Sequence, residues 1–263
     1  MGRAIQHWDG VSWKNSEFYR NHTMGKAIIV CGGPSLAGID IPKLSGPGKT
    51  VIGMNTTYPH VRPDIWFGMD NPRCYDRNLM LESFPKIYRG GYWTNVIQGV
   101  TLRDTPNSHF MSIYKQLEED YWKCFNEDNE AFHWETNSFM AVVAFVLSMG
   151  FKDIYLVGCD LTNKESDYFD DRKLVEEEKD SNTRLHTQLF NWLRRIQPTI
   201  NNKGVTLHST TPRSRINKFL PYTSLEDLNK EIEEELLFEQ GPRYNSLTLQ
   251  KMLEADVNQE DIK

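Results

Sequence analysis

The chain has 263 residues, of which 39% are hydrophobic and 25% charged, with 36 acidic against 30 basic side chains and a formal net charge of -6. That is the make-up of a soluble globular protein, one large or two small domains with ample apolar material for a core. The acidic balance argues against general binding to nucleic acid, which needs clustered Lys and Arg, and no apolar run approaches the roughly 20 residues of a membrane span.

Residues 1–25 form an N-terminal extension in which Trp8, Trp13 and Phe18 stand among polar residues. It lacks an apolar stretch flanked by basic residues, so no signal peptide is expected. Gln6 also stands where a myristoylation signal wants Ser or Thr. Ala27-Ile28-Ile29-Val30-Cys31 is a continuous apolar run, as expected of a strand buried on both faces. It ends in Gly32-Gly33-Pro34-Ser35-Leu36. Residues 50–54 and 64–69 predict two more such strands, and Lys86-Ile87-Tyr88 a weaker one. A helix from Asn137 to Met149 is apolar almost all round and is therefore expected to be buried. Thr136, Asn137 and Ser138 offer N-caps for it and Gly150 a C-cap. Its N-terminus is a natural seat for an anion.

Residues 153–158 are the clearest strand of all. The next segment is dense in Asp and Glu, most simply a solvated loop. A long loop after a sheet strand is often a lid, however, and a lid is placed here at about 162–186. A helical pattern over 183–196 and a strand over 205–208 follow. Residues 224–238 read as an acidic amphipathic helix with Leu225, Leu228, Ile232 and Leu236 on one stripe and a capping-box-like start at Ser224 and Asp227. Its acidity argues against anionic lipid and for docking on the body or, in a homo-oligomer, on a second subunit. Short apolar strands alternating with helices predict an α/β, Rossmann-like domain over 26–221, a mostly parallel sheet with helices on both faces and a lid insertion. Residues 222–263 are set apart as a C-terminal helical extension.

Several motifs fail on spacing. Gly48-Lys49-Thr50 has Lys43 where a phosphate loop needs its first glycine, and it precedes a strand. Gly32-Gly33-Pro34-Ser35 lacks the dinucleotide fingerprint. His133-Trp134-Glu135 has no partner Pro-Cys-x-x-Cys, so the zinc-deaminase reading falls. Cys31, Cys74, Cys124 and Cys159 include no Cys-x-x-Cys pair, and a reduced, cytoplasmic chain is expected. What remains is polar groups at the carboxyl ends of predicted strands, where open parallel sheets bind ligands. These are the turn Gly32, Gly33, Pro34 and Ser35, then Asn55, then Asp70 and Asn71, and finally Asp160. Each taken singly is a common turn residue.

These residues carry a resemblance. The opening 27–36 with Ile39-Asp40 resembles that of the bacterial sialyltransferases of glycosyltransferase family forty-two, and equally that of the 6-hydroxymethylpterin diphosphokinase-like family. The likeness continues through Met54-Asn55, Asn71-Pro72, Asn137-Ser138, the stretch 150–160 and Thr211-Pro212-Arg213-Ser214, spanning roughly 26–221. It implies a nucleotide held over the strand ends by Gly32, Gly33, Asn55, Asn71 and Ser138, and a nucleotide-activated donor with a hydroxyl acceptor. It also implies a lid tyrosine on the leaving phosphate, matched by Tyr168, and a lid histidine as general base, matched by His186. Thr162 stands where the family's other tyrosine would be, a departure that bears on the phosphate contacts. Asp160-Leu161 leans toward the diphosphokinase-like group.

Read from the residues alone, His186 is a lone histidine near the start of a helical pattern, where solvent-facing histidines are common, although a near-neutral pKa suits base work. Asp70 and Asp160 either cap turns or hold a magnesium–nucleotide. The first expectation is an enzyme, a glycosyltransferase that moves a sugar from a CMP-sugar-like donor to an acceptor hydroxyl with His186 as general base and requires no cofactor. The alternatives are a diphosphokinase acting on a pterin-like alcohol, which would require Mg2+, and a nucleotide-binding scaffold, which would do no chemistry.

Overall fold

The computed structural model describes residues 5–16, 25–114, 132–133, 137–161, 168–170 and 173–236. Two units divide the chain, Met1–Thr223 and Ser224–Lys263. The first is built on a nine-stranded sheet. Its members are β1 (Ile5–Trp8), β2 (Trp13–Asn15), β3 (Lys26–Val30), β4 (Lys49–Met54), β5 (Ile65–Gly68) and β6 (Lys86–Arg89). The short pair β7 (Val96–Ile97) and β8 (Val100–Thr101) forms a separate hairpin. The sheet resumes with β9 (Ser108–Met111), while β10 (Ile113–Tyr114) and β11 (Phe132–His133) pair apart from it, and β12 (Asp153–Val157) and β13 (Thr206–Ser209) complete it.

The order is β13-β12-β3-β4-β5-β6-β9-β1-β2. Strands from β13 to β9 are parallel, and β1 and β2 add an antiparallel edge. The continuous apolar runs occupy the centre, where Ala27 to Val30 and Ile154 to Val157 are 1% exposed or less, as strands covered on both faces must be. Alternation is visible in β5. Ile65 and Phe67 join the core cluster on one face, and Trp66 joins a second cluster on the other.

Both faces are covered, but unequally. Helices α1 (Ser138–Met149) and α2 (Glu176–Asn202) pack into one cluster, α1 through nearly every side chain and α2 through Leu189, Trp192, Leu193, Ile196 and Ile200. The opposite cluster is closed by Tyr58, Tyr75, Phe84 and the short 3-10 turn Arg77–Leu81, which inserts Leu79 and Met80. Gly150 ends α1 in the left-handed conformation.

Three features depart from the sequence reading. Residues 5–15, set apart as an extension, supply two strands of the sheet. Of the proposed lid, residues 176–186 are the first turns of α2, which begins where the Glu178 carboxylate accepts the Val175 N–H at 3.1 Å; residues 162–167 and 171–172 lie outside the described residues. The third is β9, which pairs with both β6 and β1. It carries His109, whose Nδ1 lies 2.7 Å from Ser16 Oγ, itself 3.3 Å from His7 Nδ1.

In the second unit, residues 225–236 are helical. Ser224 Oγ accepts the Asp227 N–H at 3.0 Å and donates to its carboxylate at 2.6 Å, and Leu228 and Ile232 are buried. Among the described residues no helix is long and apolar enough to cross a membrane.

Candidate active site

The winding of the sheet reverses between β3 and β12. From β3 the order runs outward through β4, β5, β6 and β9, while β12 and β13 lie on its other side. A crevice is expected at the carboxyl ends of strands that diverge in this way. A cavity of about 380 Å³ lies there. Its walls come from Gly32, Gly33 and Pro34 after β3, Asn55 and Thr56 after β4, and Asp70, Cys74 and Tyr75 after β5. Asn137, Ser138 and Phe139 at the head of α1 and residues 158–161 after β12 add further wall. Tyr168 and the α2 residues Asn182, Leu185, His186 and Leu189 complete it.

The glycine turn is held by its neighbours. Cys31 N–H donates to Val157 O at 2.8 Å and Gly33 N–H to Gly158 O at 2.9 Å. A Cβ on Gly33 would run into Gly158 O and the Asp160 carboxylate. Glycine is therefore demanded here by the approach of two strand ends. Gly32 differs: the nearest atoms a Cβ there would meet belong to the rings of Tyr168 and Phe169, at 3.6 and 3.8 Å.

Asp160 Oδ2 accepts the Ser35 N–H at 3.2 Å and its hydroxyl at 2.8 Å, and Ser35 Oγ lies 3.3 Å from Thr211 Oγ1. Ser214 Oγ donates to Cys159 O at 2.6 Å. Serine and threonine hydroxyls thus tie together the ends of β3, β12 and β13. Ser35 is not among the lining residues; its hydroxyl serves this scaffold.

After β4, Asn55 takes the left-handed conformation, φ 47°, which Asn tolerates better than most residues. Its carbonyl accepts Trp66 Nε1–H at 2.9 Å, and its Oδ1 accepts the Tyr75 hydroxyl at 3.3 Å. That hydroxyl in turn accepts the Asp70 N–H at 2.9 Å. With Oδ1 engaged, the Asn55 side-chain NH2 is the group left to donate at the cavity wall. Burial pushes the Tyr75 phenol's pKa well up, so it remains a donor. Desolvation also raises the carboxyl of Asp70. Asn71, by contrast, caps the turn Pro72–Cys74 by accepting the Arg73 N–H at 3.1 Å and does not line the cavity.

Asn137 caps α1 by accepting the Phe139 N–H at 2.8 Å. The remaining first-turn N–H groups and the positive end of the helix dipole sit beside the buried Ser138 on the cavity wall. Phe169 N–H reaches Gly32 O at 3.5 Å, and its ring lies 4.9 Å from that of His60. Next to it, Tyr168 accepts a hydrogen bond from Asn182 Nδ2 at 3.4 Å. Thr162 lies outside the described residues.

His186 lies one helical turn beyond Asn182 on the same face of α2. Its Nδ1 is buried with no hydrogen-bond partner among the described residues. Burial first, and the Arg215 charge second, hold its pKa below the ordinary histidine value. A neutral imidazole on a cavity wall is equipped to accept a proton. Among the described residues no Lys or Arg lines the cavity, and no cluster of three His, Cys, Asp or Glu is arranged for a metal ion.

Of the residues singled out from sequence, the cavity gathers Gly32, Gly33, Pro34, Asn55, Asp70, Asn137, Ser138, Asp160, Tyr168 and His186. It adds Thr56, Cys74, Tyr75, Asn182, Leu185 and Leu189, which sequence reasoning did not single out. The α2 members carried a signal in their spacing, since 182, 185, 186 and 189 fall on one helical face.

No protein-family model and no curated protein matches the sequence. Solved structures similar to the chain include the Campylobacter jejuni sialyltransferase CstII in complex with cytidine-5'-monophosphate, at 17% identity and TM-score 0.43 over 78% of this chain and 87% of that one. The monofunctional alpha-2,3-sialyltransferase Cst-I of the same organism is similar at 13% identity and TM-score 0.40, over 79% and 83%. The MAf glycosyltransferase of Magnetospirillum magneticum AMB-1 is similar at 15% identity and TM-score 0.45, over 89% of this chain but 38% of its own length. Identities and scores this low leave the chemistry to be decided by the cavity itself.

Proposed function

We propose that the protein is a glycosyltransferase that moves a sugar from a CMP-like nucleotide donor to an acceptor hydroxyl, with His186 as general base. The supporting observation is that one cavity collects the Gly32 turn, the Asn55 amide, the N-terminus of α1, a tyrosine hydroxyl and a histidine held neutral. In this reading the nucleotide lies over Gly32 and Asn55. The donor phosphate meets Ser138 and the first-turn N–H groups of α1, with the Tyr168 hydroxyl opposite.

The acceptor oxygen forms the new bond to the anomeric carbon while His186 takes its proton. The bond from that carbon to the phosphate oxygen breaks, and the departing nucleotide carries off the electron pair. A monophosphate leaving group is a modest charge for dipoles and hydroxyls to hold, so the reaction runs without a divalent ion in a reduced, cytoplasmic setting.

The test is a thermal-shift panel of CMP, UDP, GDP and ATP, each with magnesium or with EDTA, followed by single-turnover transfer. CMP should stabilise most, and turnover should survive EDTA. Turnover that vanishes in EDTA and returns with magnesium would replace this reading with a diphosphokinase, Asp70 and Asp160 being its metal ligands. Nucleotide binding without turnover would leave a scaffold.

A further inference from the structure

Asn182 has no part in the reaction as written above, yet it lines the cavity and donates its side-chain amide to the Tyr168 hydroxyl at 3.4 Å. We infer that Asn182 is a positioning residue that sets the direction of the Tyr168 O–H, an inference that rests on the glycosyltransferase reading and on Tyr168 as donor to the leaving phosphate.

A phenol oxygen has one proton to give and lone pairs to receive with. When the oxygen accepts from an amide N–H, its own proton is directed to another acceptor, and the phenol is polarised as a donor. Only in that orientation does the hydroxyl meet an anion with its hydrogen instead of its lone pairs. The placement suits the role. The Tyr168 ring passes over Gly32, with its Cδ1 3.6 Å from where a Cβ on Gly32 would be, and Asn182 reaches its oxygen from α2. Asn182 and His186 are one turn apart on a single rigid helix, so the same element that carries the base orients the acid-side hydroxyl. The bond is long at 3.4 Å, as catalytic hydrogen bonds often are before substrate binds.

The chemistry of the side chain at 182 makes the inference testable. A carboxylate accepts and does not donate. Asn182→Asp should therefore turn the Tyr168 proton toward the helix and away from the phosphate. Asn182→Leu removes the donor without installing an acceptor, and Asn182→Gln retains one.

The experiment measures nucleotide release from a CMP-activated sugar in single turnover, with donor Kd measured separately. It uses wild type, these three variants, Tyr168→Phe and the double variant Tyr168→Phe/Asn182→Asp, each checked for folding. Tyr168→Phe should lower the rate by about 10²-fold, the usual loss on removing one oxyanion donor. Asn182→Asp should approach that loss, Asn182→Leu should lose about tenfold, and Asn182→Gln should recover most of the rate, while donor Kd changes little. In the Tyr168→Phe background, Asn182→Asp should add nothing further.

If Tyr168→Phe is itself as fast as wild type, the assignment of the tyrosine fails and this inference with it. If Tyr168→Phe is slow but the Asn182 variants are normal, the inference alone is overturned. Losses at the two positions that simply multiply, or an Asn182→Asp no worse than Asn182→Leu, overturn it as well. In those cases Asn182 is a structural residue.

Discussion

Two histidines have their pKa values lowered by burial, one in the sheet and one on α2, and their surroundings separate structure from chemistry. His109 sits on β9 near the antiparallel edge, 8% exposed, with its Nδ1 2.7 Å from Ser16 Oγ. Burial, with His7 and Lys86 nearby, pulls its pKa down to about 4. His186 is also depressed by burial, but its Nδ1 has no partner among the described residues and it faces a cavity. A lowered pKa is common to both. The difference is surroundings: on β9 the ring nitrogen is engaged by Ser16, whereas His186 is part of the wall of a cavity large enough for a ligand.

The largest effect expected from this contrast is kinetic. His186→Ala should slow transfer by about 10²- to 10⁴-fold, with donor Kd and melting temperature little changed. Wild-type kcat/KM should fall as pH drops through the histidine's ionisation, at a midpoint below its ordinary value of about 6.5. His109→Gln should leave the rate near normal; single-turnover rates of the two variants across pH check both statements. A His109 variant that is slow while folded would break the comparison.

The next effect is on stability. His109 binds its proton more weakly folded than unfolded, so its contribution is complete above the unfolded pKa of about 6.5 and is lost as pH falls toward about 4. The full loss is on the order of 3 kcal/mol. Urea unfolding at pH 7.5, 6 and 5 should show the decline, and His109→Gln should flatten it. A slope unaltered in that variant would place the acid sensitivity elsewhere.

Much of this was legible in the sequence where burial is two-sided. Residues 27–30 and 154–157 are apolar without interruption because neither face of β3 or β12 meets water there, and α1 is apolar all round for the same reason. The strands toward the antiparallel end of the sheet read poorly. Ile5-Gln6-His7-Trp8 and Ser108-His109-Phe110-Met111 carry polar residues inward, made tolerable only by partners, such as Ser16 beside His109, that sequence spacing does not reveal. The first turns of α2 hid in their charge, since residues 176–184 bury no apolar stripe. At the site, sequence could single out polar residues after strands but could not tell which faced inward. Asn71 and Ser35 satisfy backbone and neighbouring side chains, while Asn55 and Asp70 line the cavity.

The smallest expected effects separate the two glycines of the turn. Gly33→Ala should destabilise the fold by about 1–3 kcal/mol, as overpacking against Gly158 and Asp160 would. Gly32→Ala should cost under about 1 kcal/mol, since its Cβ would meet ring atoms at ordinary contact distance, yet should weaken CMP binding severalfold. Chemical denaturation and nucleotide titration of the pair check this. Equal destabilisation would mean that the turn is scaffold throughout.

The pairing of β3 with β12 sets the order in which the molecule can be made. Val30 lies opposite Val157, so the two strands that floor the cavity leave the ribosome far apart in time. Until residues 153–157 emerge, β3 has one edge unpaired along Ala27 to Val30, an apolar strand of the kind that recruits other chains. Pairings this distant fold slowly. Nascent or truncated chains ending before β12 should therefore depend on chaperones and aggregate without them, and nucleotide should bind only after the strand has closed that edge.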